Sequence, residues 1–205
     1  MIRGEAISSR FPFLPLLNVG PPTYIYQKPV GSMEPHENTN LHTPCRSHSR
    51  MVLLRPASFS GALYVSGRRV FSFSLSAGRA GRGEEEGSGK TPRGLHTIAE
   101  KIGAHAPEGM RFVSRLPTGE VIHDRESHGG ENYILTRIIR LAGCEEGKNR
   151  GNGVDSFARY IYIHGTNKET FVGSRHFSHG CIVMKNCDII SLFERVEEGE
   201  YVYID

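Results

Sequence analysis

Tryptophan is absent from the 205 residues, and no apolar stretch approaches the roughly 18 to 20 residues that a membrane-spanning helix needs, so no stable membrane span is expected. The best apolar run near the start, Phe11 to Val19, is short and broken by Pro12 and Pro15, which writes a secretory signal only weakly. Cysteine is scarce. Cys45, Cys144, Cys181 and Cys187 form no C-x-x-C pair and no regular framework, which argues against a disulfide scaffold or an all-cysteine zinc site. A charge excess is missing too: 25 basic and 22 acidic side chains leave a formal net charge of +3, and no nucleic-acid partner is expected without a concentrated basic face.

What is plentiful is turn-forming residues, 24 Gly and 11 Pro, which favour short strands over long helices. The length suits one sizeable domain and a tail. Residues 1–50 mix Pro, Ser, Asn, His and Thr without periodicity and read as a poorly ordered N-terminal extension; residues 51–205 read as the folded domain.

Within that domain the expected elements are mostly strands. Met51 to Leu54 is a short apolar run, and Leu63 to Leu75 places a turn at Gly67 between two strand-like segments, with Phe71, Phe73 and Leu75 on one buried face. Ala77 to Lys90, with five Gly and Glu84-Glu85-Glu86, reads as a long loop, and Thr91 to Ile98 leads back into a strand. Tyr133–Leu141 and Ala158–Ile163 are β-rich, the second delivering His164-Gly165 at its end. After Cys181, Asn186 is a candidate cap for a helix carrying Ile189, Ile190, Leu192, Phe193 and Val196 and ended by Gly199; Tyr201 to Ile204 is a last strand. The sum is a mainly β domain with a short helix directly after the cysteine.

The chemistry concentrates at Ser178-His179-Gly180-Cys181. A cysteine attacks a carbonyl well only as thiolate, so it needs a base or positive charge nearby and N–H groups to receive the oxyanion. His164, at the end of a strand, can aim an imidazole; His179 lies two residues before Cys181; Gly180 lets backbone approach a substrate closely. The plain alternative is a small buried thiol beside Ile182 and Met184, and that reading stands for Cys45, Cys144 and Cys187. A zinc site from His164, His176, His179 and Cys181 is the chemical competitor, although His176-x-x-His179-x-Cys181 matches no common zinc spacing. Gly87-Ser88-Gly89-Lys90-Thr91 suggests a phosphate loop. Glu84 stands where that motif requires its first glycine, and Pro92 follows where its helix should begin, which removes nucleotide binding.

His164-Gly165-Thr166-Asn167 followed by Ser178-His179-Gly180-Cys181-Ile182 resembles the signature of the L,D-transpeptidase (YkuD-type) catalytic domain. Lys90-Thr91-Pro92-Arg93-Gly94 is similar to that family's Thr-Pro-x-Gly segment, and the likeness runs from about residue 51 to 205. It implies a YkuD-like β-sandwich, no cofactor and no metal, and a cell-wall enzyme whose partners are peptidoglycan stem peptides and whose covalent inhibitors are carbapenems. Cys181 would be the nucleophile and His164 its base, with Gly180 and Cys181 N–H groups, and His179 nearby, at the oxyanion. Ser178 would order the turn, and Gly165 and Thr166 would hold His164. The products would be a 3-3 cross-link or a trimmed stem, and the place of work the cell envelope or periplasm. In one departure Val183 stands where family members usually carry Arg, and Arg175, in the same loop, is the candidate replacement charge. The functional alternatives are a non-catalytic wall-binding protein of the same fold and a zinc-dependent hydrolase.

Overall fold

The computed structural model describes residues 49–124 and 130–205; the expected extension over residues 1–50 lies almost wholly outside them. The chain runs β1 (Arg50–Arg55), β2 (Ser60–Val65), β3 (Arg68–Ser74), β4 (Gly94–Ile102), β5 (Met110–Val113), β6 (Leu116–Val121), β7 (Ile134–Gly143), β8 (Tyr162–Gly165), β9 (Ile182–Val183), α1 (Asn186–Phe193) and β10 (Tyr201–Ile204). The fold is mainly β with one helix after the cysteine, as the sequence leads one to expect.

The β2–β3 hairpin turns at Ser66-Gly67, both with positive φ, which is the geometry that matches strand twist in a two-residue turn. β10 lies parallel to β1 and antiparallel to β4, so the last strand stands inside the sheet. From β4 the order continues to β7, whose other edge carries β8 and then β9. An antiparallel bridge between Ser76 and Val183 then joins β9 back to the segment after β3. The sheet thus curls on itself, and its halves face each other across one apolar core. Val52, Leu54, Leu63 and Leu75 meet Ile139, Leu141, Ile163 and Ile182 there, and Ile189, Leu192, Phe193 and Val196 of the helical segment close it.

Three expectations on element boundaries are corrected. β8 begins only at Tyr162, because Asp155 turns the chain first: its carboxylate accepts the Ala158 N–H at 2.9 Å, and Tyr160 takes a left-handed φ of 57°. Asn186 is not the cap of α1. Lys185 holds that position, Glu169 Oε1 accepts the Asn186 N–H at 2.6 Å, and the Asn186 side chain points into the core instead. The helix also stops at Phe193, and Gly199, with φ 89°, serves the turn into β10.

Candidate active site

Strand parity decides which side chains share a face. Ile163 and Ile182 point into the main core, so Tyr162 and His164, one residue either side, point outward. His164 pairs with Val183 across the parallel β8–β9 ladder, and Cys181 lies one step before β9, level with Tyr162. Cys181 and His164 are therefore diagonal neighbours on the outer face. A second, smaller apolar cluster of Phe112, Ile138 and Tyr162 packs there, with Cys181 against it.

His164 is buried, and its Nδ1 lies 2.7 Å from the Gly165 carbonyl. A carbonyl only accepts, so in the neutral ring Nδ1 carries the proton and Nε2 keeps its lone pair. Burial pushes the imidazole down to about 4, against the Gly165 bond, which favours the charged form. The Cys181 side chain is partly buried, with Sγ 3.5 Å from the Tyr160 carbonyl. Burial raises its thiol to about 11, opposed by a hydrogen bond from the Tyr162 backbone and by the charge of Arg159. At neutral pH the resting pair is thiol and free imidazole.

The turn before Cys181 is braced from several sides. Ser178 Oγ donates to the Cys181 carbonyl at 2.6 Å and accepts the Gly180 N–H at 3.2 Å. Gly180 has φ 120°, and a Cβ there would stand 3.0 Å from the Lys90 carbonyl oxygen, so glycine is required for both reasons. Fully buried Thr91 accepts the Gly78 N–H and donates to the Gly180 carbonyl, each at 2.9 Å. The 77–90 loop is thereby fastened to the cysteine turn. Thr91→Val is expected to leave both buried backbone groups unpaired at about 1–3 kcal/mol each. A lowered melting temperature and slower thiol alkylation would register it; wild-type values in both would show that the hydroxyl is dispensable.

Gly165 and Thr166 are held by the same logic. A Cβ on Gly165 would come within 2.2 Å of Asn186 Oδ1, and Asn186 Nδ2 donates to the Thr166 carbonyl at 2.8 Å. Thr166 Oγ1 donates to Asn132 Oδ1 at 2.7 Å. Asn186 thus fixes the peptide directly after the one whose carbonyl orients His164.

His179 is exposed and lines a groove of about 410 Å³ with Glu86, Gly87, Gly89, Ala158, Arg159, Tyr160 and Ile161. The structure does not bring His176 into that group: its Nδ1 accepts the Ala77 N–H at 3.0 Å and its ring stacks on Phe59 at 4.4 Å. No three His, Cys, Asp or Glu side chains converge on a metal position among the described residues. Arg175 lies over the Phe171 ring, 3.4 Å from its centroid. The charge felt at Cys181 is that of Arg159, which sequence reading passed over. Its guanidinium donates to the carbonyls of Glu84 at 2.6 Å and Lys90 at 2.7 Å, locking the loop beside Gly180.

The model of the YkuD L,D-transpeptidase catalytic domain matches residues 50–204, well over half of the chain. The chain belongs to this family. No curated protein matches it. Among solved structures it is similar to an L,D-transpeptidase from Mycobacterium smegmatis, at 14% identity over 77% of this chain and 58% of that one, TM-score 0.49. L,D-transpeptidase 3 from Mycobacterium tuberculosis, in complex with a faropenem-derived adduct, shares 15% identity over 77% of this chain and 60% of its own, TM-score 0.48. The L,D-transpeptidase of Xylanimonas cellulosilytica shares 18% over 80% and 63%, TM-score 0.46. This chain therefore spans less than two thirds of each. Among the described residues no helix is long and apolar enough to cross a membrane.

A member of the family with two histidines held neutral should be acid-sensitive. His96, like His164, is buried and pushed down to about 4, with Nδ1 3.0 Å from the Gly94 carbonyl and Nε2 2.9 Å from Ser156 Oγ. Unfolded, each titrates near 6.5, so above that pH neither state takes a proton. As pH falls from 6.5 towards 4 the unfolded chain binds protons that the fold refuses, and stability is lost by up to about 3 kcal/mol per histidine. Thermal melts between pH 7 and 4 should decline, less steeply in His96→Gln. A melting temperature constant over that range would refute neutral burial.

Proposed function

We propose that this L,D-transpeptidase-family chain is a peptidoglycan acyltransferase with Cys181 as nucleophile and His164 as general base. The observation that supports this best is the His164 ring, fixed through Nδ1 by Gly165 and standing diagonally beside Cys181 on one face of the sheet. Because the resting pair is neutral, the thiol proton moves to Nε2 only as Sγ attacks, so the thiolate need not exist free. The attacked carbonyl is the one between the L-centre of diaminopimelate and the terminal D-alanine of a tetrapeptide stem.

The oxyanion formed on attack needs N–H donors. The Gly180 N–H already serves Ser178, while no acceptor among the described residues takes the Cys181 N–H, which makes Cys181 the first donor and Gly180 the second. His164 then returns its proton to the departing amine, D-alanine leaves, and a thioester remains on Cys181. An amine of a second stem, or water, loses a proton to His164 and attacks that thioester, giving a 3-3 cross-link or a trimmed stem. The groove beside Arg159 and His179 has the size of a small-peptide site. The substrate places this work outside the cytoplasmic membrane, in the envelope or periplasm.

Mass spectrometry of products from purified tetrapeptide stems tests the reading. Loss of D-alanine with a linked or trimmed product is the expected result; unchanged stems with a folded protein would reject it.

A further inference from the structure

The β5–β6 hairpin has no counterpart in the periodicity of the sequence, and it closes over the outer face where Cys181 lies. Phe112 of β5 packs in the same small cluster as Tyr162 and Cys181. Val113 and Leu116 form the last pair of the hairpin, leaving Ser114 and Arg115 as a two-residue turn with φ 49° and 69°. Such a turn favours Asn-Gly, and a long side chain in left-handed backbone is a strained choice. What the strain secures is the position of a guanidinium. Arg115 lies 5.1 Å from the centroid of Tyr160 and beside the Tyr162 hydroxyl, and these two rings are 6.5 Å apart.

Arg115 and Arg140 both lie over the Tyr160 ring and Arg159 precedes it in the chain; Arg140 and Arg159 are committed. Arg140 pairs with Glu100 at 3.1 Å and donates to the Phe157 carbonyl; Arg159 is spent on backbone carbonyls. Arg115 meets phenols only, and no carboxylate among the described residues pairs with it. A cation held against two phenols, with no carboxylate partner, beside the cluster that contains the nucleophile is the complement of a substrate carboxylate.

We infer that Arg115 is the carboxylate-binding residue of the donor site, receiving a carboxylate of the peptide whose neighbouring carbonyl Cys181 attacks. This rests on the acyltransfer reading above. In a stem ending in D-alanine the terminal carboxylate lies within about 4 Å of the attacked carbon by covalent geometry, so one side chain beside Tyr160 and Tyr162 serves it. The second carboxylate of diaminopimelate offers the same chemistry from further away.

The test uses the full chain, its Arg115→Asn variant and three synthetic tetrapeptide donors: free acid, C-terminal amide, and amide at the second diaminopimelate carboxyl. Asparagine suits the left-handed turn, so the variant should melt no lower than wild type. For the free acid, KM should rise about 10- to 100-fold in the variant, with kcat little changed. The wild type should disfavour whichever amide removes the recognised carboxylate, and Arg115→Asn should lose that discrimination; the amide affected identifies the source. Wild-type-like discrimination in a folded Arg115→Asn variant overturns this inference alone. No Cys181-dependent turnover of any donor by the wild type overturns it together with the acyltransfer reading.

Discussion

Cys181→Ala is expected to abolish both covalent capture of a carbapenem and turnover of tetrapeptide stems, a fall of at least about four orders of magnitude in kcat/KM. The reason is chemical: among the described residues no other thiol occupies a comparable position. Cys187 is exposed on the first turn of α1, and Cys144 lies at the end of β7 with burial raising its thiol. The fold should survive, because Cys181 is only partly buried and its thiol donates no more than a long 3.5 Å contact to the Tyr160 carbonyl. Intact-mass measurement after carbapenem treatment, alongside a melting curve, checks this. An adduct that persists on the alanine variant would move the nucleophile elsewhere.

His164→Ala should cost about a thousandfold in acylation and change its dependence on pH. With His164 in place, proton transfer within the neutral pair supports reaction from just above pH 4. Without it, only thiolate present at equilibrium can attack. Burial and the Tyr162 and Arg159 neighbours, not His164, set the thiol near 11, so that position should persist in the variant. Alkylation by iodoacetamide should then climb about tenfold per pH unit up to that region. A variant keeping the wild-type profile would show that His164 takes no proton.

That Cys181 and His164 come to lie side by side was legible because each stands at the border of an apolar strand segment, in the short motifs His164-Gly165 and Ser178-His179-Gly180-Cys181. β1, the β2–β3 hairpin, β7 and β10 were legible because their apolar residues alternate or cluster between turn signals. The β5–β6 hairpin was not. β6 is exposed at every position but its last and contains Pro117 and Gly119, so its existence depends on pairing rather than on a buried face. Thr91, Arg159 and Asn186 escaped for a different reason: their partners, Gly180, Lys90 and Thr166, are distant in sequence and are backbone carbonyls, which no side-chain pattern reveals. Asn186 even misled, since a residue type suited to capping proved to be an interior strut.

The place of β10 inside the sheet carries a consequence for how the molecule comes into being. Residues 201–204 separate β1 from β4, so each lacks its second neighbour until almost the last amino acids described here have been synthesised. A ribosome-bound chain lacking them holds an N-terminal hairpin that can form early and a central sheet that cannot close. Such long-range closure is slow to nucleate, and unpaired edges invite aggregation meanwhile. Truncation before Tyr201 should therefore act as an all-or-none defect in maturation, silencing a thiol that lies twenty residues upstream and has lost none of its own contacts in sequence.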